Sequence, residues 1–456
     1  MSIEALQNSP GALKQSASRL LVMALAGGAL LLTAPMLQAD TLGQAFAQAY
    51  DSNALIQAQQ AQLRASGYDV EKAQAGYKPQ ISFDAGIGTA HNDLSSPLFH
   101  ITTYSQNIKS AGLTITQPLY TGGQVSSNVN AAQDVQSAQL ATLNTTEEQV
   151  FLDVATAYTD VVRDQAVLKL EQNNVDVLNK QLAASQAEFE NGEVTRTDVA
   201  QSQARLAGAQ AALIQAQGAL AASRATYVRA VGAEPGNLEQ PTMPAPLPAT
   251  QADVIQLAQQ NYTVLAARYT ENAAQQQAEA VSSKQKPSVA LTGQLLEAQD
   301  PEIGFSRIDT RSIMLTLSVP LYAGGALDAE QHAAQQRAAA SHDDLLDAQR
   351  QAKLDAVNAW QAFQTANAQL AAINSQIQAE QVAASGVRDE ASVGERTTLD
   401  VLNADQELLN ARVNLIRAQR DQLVAAYALK AATGQLTAAS LQLHTQMQPI
   451  QASAGN

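Results

Sequence analysis

Gln117-Pro118-Leu119-Tyr120-Thr121-Gly122-Gly123 recurs as Val319-Pro320-Leu321-Tyr322-Ala323-Gly324-Gly325, an offset of 202 residues (320 − 118). The same 202 separates Gly192-Glu193-Val194-Thr195-Arg196-Thr197-Asp198-Val199 from Gly394-Glu395-Arg396-Thr397-Thr398-Leu399-Asp400-Val401, and Gly232 from Gly434. Upstream, Lys78-Pro79 returns as Lys286-Pro287 at an offset of 208 (287 − 79). The first copy is therefore six residues longer between its prolines (208 − 202), the kind of length change a surface loop tolerates. Coincidental words would not keep one register. The chain is a duplication.

Each copy reads helix, strand, loop, strand, very long helix, turn, helix. Ile81, Phe83, Ala85 and Ile87 alternate with Ser82, Asp84, Gly86 and Gly88, and Ala111, Leu113 and Ile115 alternate with Gly112, Thr114 and Thr116. Val289 and Leu291 bracket Ala290, while Ile313, Leu315, Leu317 and Val319 alternate with Met314, Thr316 and Ser318. Period-two alternation predicts half-buried strands. A polar loop is expected from about His91 to Asn107, and a second near Asp300 to Arg311.

No proline or glycine interrupts Gln124 to Glu190, and Ala326 to Val393 reads as its counterpart. At about 1.5 Å per residue each helix would span on the order of 100 Å. Such helices need neighbours along their length. The shorter segments Thr195–Val231 and Gln251–Lys284 together match one long helix and are expected to stack as its antiparallel partner. By the same logic Thr41–Lys78 is expected on Thr397–Thr433. A linker at 233–250, with Pro235, Pro241, Pro244, Pro246 and Pro248, and a tail at 435–456 are then expected together at mid-height.

Composition narrows the function. The net charge is −15, from 27 basic and 42 acidic residues, against the clustered cations that nucleic-acid binding needs. There is no cysteine, which excludes disulfides, thiolate metal sites, cysteine nucleophiles and a lipidated amino-terminal cysteine. His91, His100, His332, His342 and His444 show no metal-ligand spacing, and no nucleophile elbow or phosphate loop is present. Neither an enzyme nor a cofactor is expected. Lys14 and Arg19, the apolar run Leu20 to Leu32, and Leu37-Gln38-Ala39 before Asp40 predict a signal peptide over 1–39. The apolar run is shorter than the roughly 20 residues of a membrane-spanning helix.

Four strands are too few to close a membrane barrel, which needs about eight. Several chains must share one, and three would supply twelve strands. A two-hairpin sheet on a structural coiled-coil stalk, adhesin-like and without a transport role, is the alternative.

The duplicated Pro-Leu-Tyr-x-Gly-Gly and the stretch Val393-Gly394-Glu395-Arg396-Thr397-Thr398-Leu399-Asp400-Val401-Leu402 resemble the TolC family of outer-membrane efflux and secretion ducts. The resemblance covers Asp40 to about Leu441. It implies an α+β membrane protein of two repeats, 40–232 and 251–434, each a helical hairpin plus two strands. It implies a homotrimer in which a twelve-stranded outer-membrane barrel continues into a twelve-helix periplasmic tunnel. The implied function is an exit duct of a tripartite efflux pump or type I secretion system. Implied partners are outer-membrane lipid, a periplasmic adaptor and an inner-membrane transporter of RND, ABC or MFS type. Gly192 and Gly394 match the hairpin tips where adaptors dock. Asp400 matches the first aspartate of the closed entrance, and the second falls on Asn403. Arg396 and Asp198 match partners of the latch that holds the entrance shut. The tyrosine of that latch falls on Ala391, so the latch is expected to be either weaker or rebuilt with Glu395 or Arg196.

Overall fold

The computed structural model describes residues 40–92, 104–302 and 305–443. The expected signal peptide, most of the first polar loop with His100, and the end of the tail with His444 lie outside the described residues. Within them the order is α1 (Leu42–Ser52), α2 (Ala54–Gln74), β1 (Gln80–Asn92), β2 (Tyr104–Tyr120), α3 (Gln124–Glu190), α4 (Arg196–Val231), α5 (Gln251–Ala258), α6 (Tyr262–Ser282), β3 (Ser288–Glu302), β4 (Phe305–Ser318), α7 (Ala326–Ser392) and α8 (Thr398–Ala432). The two long helices have 67 residues each. The second passes through Gly386 unbroken, although glycine inside a helix costs roughly 1 kcal/mol relative to alanine.

Threonines start four of the helices. Thr41, Thr195, Thr250 and Thr397 each form a capping box with Gln44, Asp198, Asp253 and Asp400, exchanging two otherwise unpaired backbone donors for side-chain acceptors. Two helix breaks depart from the sequence reading, which ran Thr41–Lys78 and Gln251–Lys284 as single helices. Asn53 ends α1 and caps α2 through Leu55 N, and Asn261 caps α6 through Val264 N at 3.0 Å. Both asparagines occupy one repeat position, 208 residues apart (261 − 53). That recurrence was the available signal.

The strands form one antiparallel sheet in the order β1-β2-β3-β4. Gln80 faces Thr116 and Ser288 faces Ser318, so both hairpins keep the same register once the repeat offsets are applied. The hairpins join through β2 and β3, where Thr114 faces Gln294. β1 and β4 are left as open edges. One sheet face carries Ile81, Phe83, Ile87, Ile115, Leu295, Ile313, Leu315 and Leu317, all exposed. No helix among the described residues is long and apolar enough to cross a membrane.

The largest buried cluster lies against the middle of α3. Phe151, Val154 and Tyr158 of α3 pack with Phe46 of α1, Tyr227 and Val231 of α4, Tyr427 of α8, and Leu436 and Ala438 beyond it. Phe46 meets Phe151 edge to face at 5.4 Å between ring centres. The Tyr158 hydroxyl donates to the carbonyl oxygens of Asp40 at 2.6 Å and Glu239 at 2.8 Å. Linker and tail thus both reach the helix's midpoint.

The stacking expectation needs correction. α4 ends against the α1–α2 junction, where Ser52 Oγ donates to Val231 O at 3.0 Å. α8 ends against the start of α6, where a side chain on Gly434 would come within 3.3 Å of the Asn261 backbone. So α2 and α4 follow one another along α3, and α6 and α8 follow one another along α7 while also packing against α3. The physical reason is the linker: five prolines keep it extended, so it carries the chain sideways into the second repeat instead of turning it back onto the same long helix.

Candidate functional site

The tips of the two hairpins are built alike. Each long helix ends in a turn whose glycine takes a left-handed conformation, φ 81° at Gly192 and 84° at Gly394. Glu193 N donates to Glu188 O at 2.9 Å and Glu395 N to Glu390 O at 3.0 Å, closing the helix end. A side chain added at either glycine would meet nothing within 4 Å. Glycine is there for the backbone angle, and the tips stand open.

Asp198 and Asp400 follow at the same repeat position. Asp400 Oδ2 accepts from Thr397 N at 3.0 Å and from Thr397 Oγ1 at 2.8 Å. Asp198 Oδ2 accepts from Thr195 N at 2.9 Å and from Thr195 Oγ1 at 2.8 Å. These threonine hydrogen bonds hold both carboxyls below the usual aspartate range. Both are anions at neutral pH, and both lie half-buried in the first turn of a helix.

The latch reading fails within one chain. Arg396 Nε donates to Glu390 Oε2 at 2.8 Å, so Arg396 braces its own hairpin and does not reach Asp198, which caps α4. Neither Glu395 nor Arg196 forms an ion pair among the described residues. The reason is local. Six residues separate Glu390 from Arg396 across one tight turn, whereas Asp198 belongs to another helix and is already engaged. Hairpins of one chain meet instead at Asn403, whose Oδ1 accepts from Arg205 Nη2 of α4 at 2.6 Å. Arg388 also pairs with Asp405 within the α7–α8 hairpin.

Two clusters, one partly and one fully buried, were not found from sequence. Higher on α3, Asp160 Oδ1 accepts from Arg163 Nη1 at 2.8 Å and from Arg420 Nε of α8 at 2.7 Å. Arg163 also holds Asp164 through two bonds of 2.7 and 3.0 Å. At mid-height Glu147 Oε2 accepts from Ala438 N at 3.1 Å and Glu148 Oε1 from Leu436 N at 3.5 Å. These glutamates are 4% and 7% exposed. Burial raises both carboxyls, Glu148 to about 8. Charges inside long helices normally read as solvated faces, and their partners lie far away in sequence. Arg205 had no repeat signal either, since its counterpart is Glu407.

Long paired helices, a sheet with two open edges and an exposed apolar strand face define the subunit of an outer-membrane channel with a helical extension. The model of the outer membrane efflux protein family matches residues 45–233 and 254–435, and the chain belongs to that family. The outer membrane efflux protein BepC of Brucella suis biovar 1 is 31% identical over 417 residues, 91% of this chain and 89% of that one. The outer membrane protein TolC of Vibrio cholerae is 26% identical over 412 residues, 88% of this chain and 92% of that one. The crystal structure of VceC from Vibrio cholerae superposes with a TM-score of 0.73 at 20% identity, covering 86% of this chain and 96% of that one. The fold is therefore that of the efflux channels, and the protein is an outer-membrane efflux duct.

Proposed function

We propose that three copies close one duct, passively conducting efflux substrates, or proteins in type I secretion, from an inner-membrane transporter and its adaptor to the exterior. In this reading residues 1–39 are the export signal, 40–232 and 251–434 are two like sectors of the ring, and 233–250 and 435–456 form its belt. The apolar strand face meets outer-membrane lipid. The observation that carries the reading is the pair of open edges, β1 and β4, on a sheet whose internal seam is already defined. Shifting the β2–β3 pair Thr114–Gln294 by the repeat offsets (114 + 202; 294 − 208) gives Thr316 of one copy opposite Gly86 of the next. Unsatisfied strand edges are not tolerated in lipid, and a ring removes them all.

The chain has no cysteine, so a Gly86→Cys, Thr316→Cys variant tests this directly. Mild oxidation of outer membranes should yield a covalent trimer, while Thr89→Cys with Thr316→Cys should not. Monomers only, or ladders beyond three, would overturn the trimeric register.

At the opposite end, Gly192 and Gly394 are the proposed adaptor-docking tips, because both stand open and let another backbone approach. Asp400 and Asn403 are the proposed entrance constriction. Three ionised Asp400 carboxylates around one axis would attract cations, with Asn403 contributing no second ring of charge. Arg396 and Asp198 do not meet within one chain, and we place their latch between copies.

A further inference from the structure

Within a chain, α6 and α8 pack against α3. Shifting these helices by the repeat offsets places α2 and α4 of one copy against α7 of the copy before it. The same shift sets Thr316 opposite Gly86. The junction at mid-height, where the short helices meet end to end, is therefore comparable residue by residue inside a chain and between copies.

Inside the chain this junction is filled. Glu148 of α3 accepts from Leu436 N beyond α8, and the ring of Tyr262 at the start of α6 would stand 4.0 Å from a side chain added at Gly434. In the first repeat Tyr262 is replaced by Ala54 (262 − 208), Gly434 by Gly232 (434 − 202) and Leu436 by Glu234 (436 − 202). The single chain has a cavity of about 340 Å³ there, lined by Asn53, Ala54, Val150, Asp153, Arg229 and Gly232. Asp153 and Arg229 carry opposite charges, so Glu234, two residues past Gly232, is the anion in excess. On α7 the position of Glu148 is Arg350 (148 + 202), and that of Glu147 is Gln349 (147 + 202). The acid on the long helix has become a base, and the position it served has gained a carboxylate. Both Arg350 and Glu234 are exposed in the single chain, and neither forms an ion pair among the described residues. Gly236 N, the counterpart of Ala438 N, is already taken by Asp40 Oδ2 of its own chain at 3.1 Å, so no second glutamate is needed on α7.

We infer that Arg350 of one copy enters the cavity at the α1–α2 junction of the next and pairs there with Glu234, so that three such contacts join the belt. This rests on the trimeric reading above. The reversal of charge also selects partners. A neighbour's Glu234 brought against Glu147 and Glu148 would set three carboxyls together, which oppose one another's ionisation. Against Arg350 it meets its counter-ion. The first repeat of a neighbour is thus kept from the place of the chain's own α6 and α8.

The test has two arms. In the first, Arg350→Cys with Glu234→Cys is joined by a short bismaleimide in outer membranes, with Gly86→Cys, Thr316→Cys as the reference for the ring itself. Covalent trimers are expected from both pairs. A covalent trimer from the strand pair alone overturns the belt contact and leaves the trimer standing. Products from neither pair remove the trimeric reading, and the contact with it. In the second arm, Arg350→Glu and Glu234→Arg should each speed dissociation of the purified trimer by about fivefold, because a leaving copy breaks two seams and an exposed pair is worth a few-fold at each. The double exchange should restore the rate to within about twofold of the wild type, and Arg350→Lys, which keeps the charge, should stay close to it. Single exchanges without effect, or a double exchange that dissociates as fast as either single one, would overturn the pairing.

Discussion

Replacing Glu148 by glutamine should remove most of the protein's sensitivity to alkaline pH. Glu148 and Glu147 are neighbours on α3, both buried, and both accept backbone N–H groups from the segment after α8. Tyr262 of α6 and Tyr50 of α1 face the pair, and burial raises both phenols, Tyr50 to about 12, so neither titrates in the neutral range. A carboxyl raised from 4.5 to about 8 binds its proton more tightly folded than unfolded. Its stabilising contribution is complete below pH 4.5, falls as pH rises, and is lost once pH passes about 8. The full difference corresponds to roughly 5 kcal/mol. Glutamine keeps the acceptor for Leu436 N and cannot ionise. Exchange of the Leu436 and Ala438 amides, corrected for intrinsic rate, reads docking of the segment, and melting of the purified protein reads global stability. From pH 5 to 9 the wild type should lose protection and melting temperature, while Glu148→Gln should lose less, with the remaining slope left by Glu147, which burial also raises. Parallel profiles for the two proteins would refute the assignment of the pH dependence to Glu148.

Other expectations follow from the same geometry. Asp400→Ala should weaken cation block of the reconstituted pore, and unchanged block would remove Asp400 from its lining. Breaking the proposed Arg396–Asp198 contact by Asp198→Ala should raise resting conductance; because Asp198 also caps α4, Asp198→Asn, which keeps the cap, should do the same. Tyr158→Phe should cost about 1–2 kcal/mol in chemical denaturation by leaving the Asp40 and Glu239 carbonyls short of a donor. Asn53→Ala and Asn261→Ala should each cost about 1 kcal/mol, the worth of a helix cap.

Much of this architecture was legible in the sequence because it is periodic. The first long helix follows from a stretch without glycine or proline and the second from its repeat position, the strands follow from alternation, and Pro118 and Pro320 mark the same corner twice. The breaks at Asn53 and Asn261 were hidden because asparagine disfavours a helix interior only weakly, and it acts there through one side-chain bond. Stacking of Thr195–Val231 on Gln251–Lys284 was misread because adjacency in sequence was taken for adjacency in space across the 18-residue linker (233–250), and the second stack was then assigned by elimination. At the hairpin tips, the sequence singled out Asp400 and Asn403 but not the side chains that hold them. Arg396 chose Glu390 on its own hairpin, and Arg205 reached Asn403 from 198 residues away. Ion pairing across packed helices depends on rotation and height, which sequence spacing alone does not encode.

The open strands β1 and β4 also bear on how the protein is made. An exported chain with two unpaired edges and an apolar face can add a neighbour at either side, and nothing in a linear chain of copies stops the next addition. Only closure ends it. Correct assembly is then a race between ring closure and indefinite growth. The outcome depends on how dilute and how well escorted the newly exported chains are, so overproduction should favour aggregates even when every single chain is correctly folded.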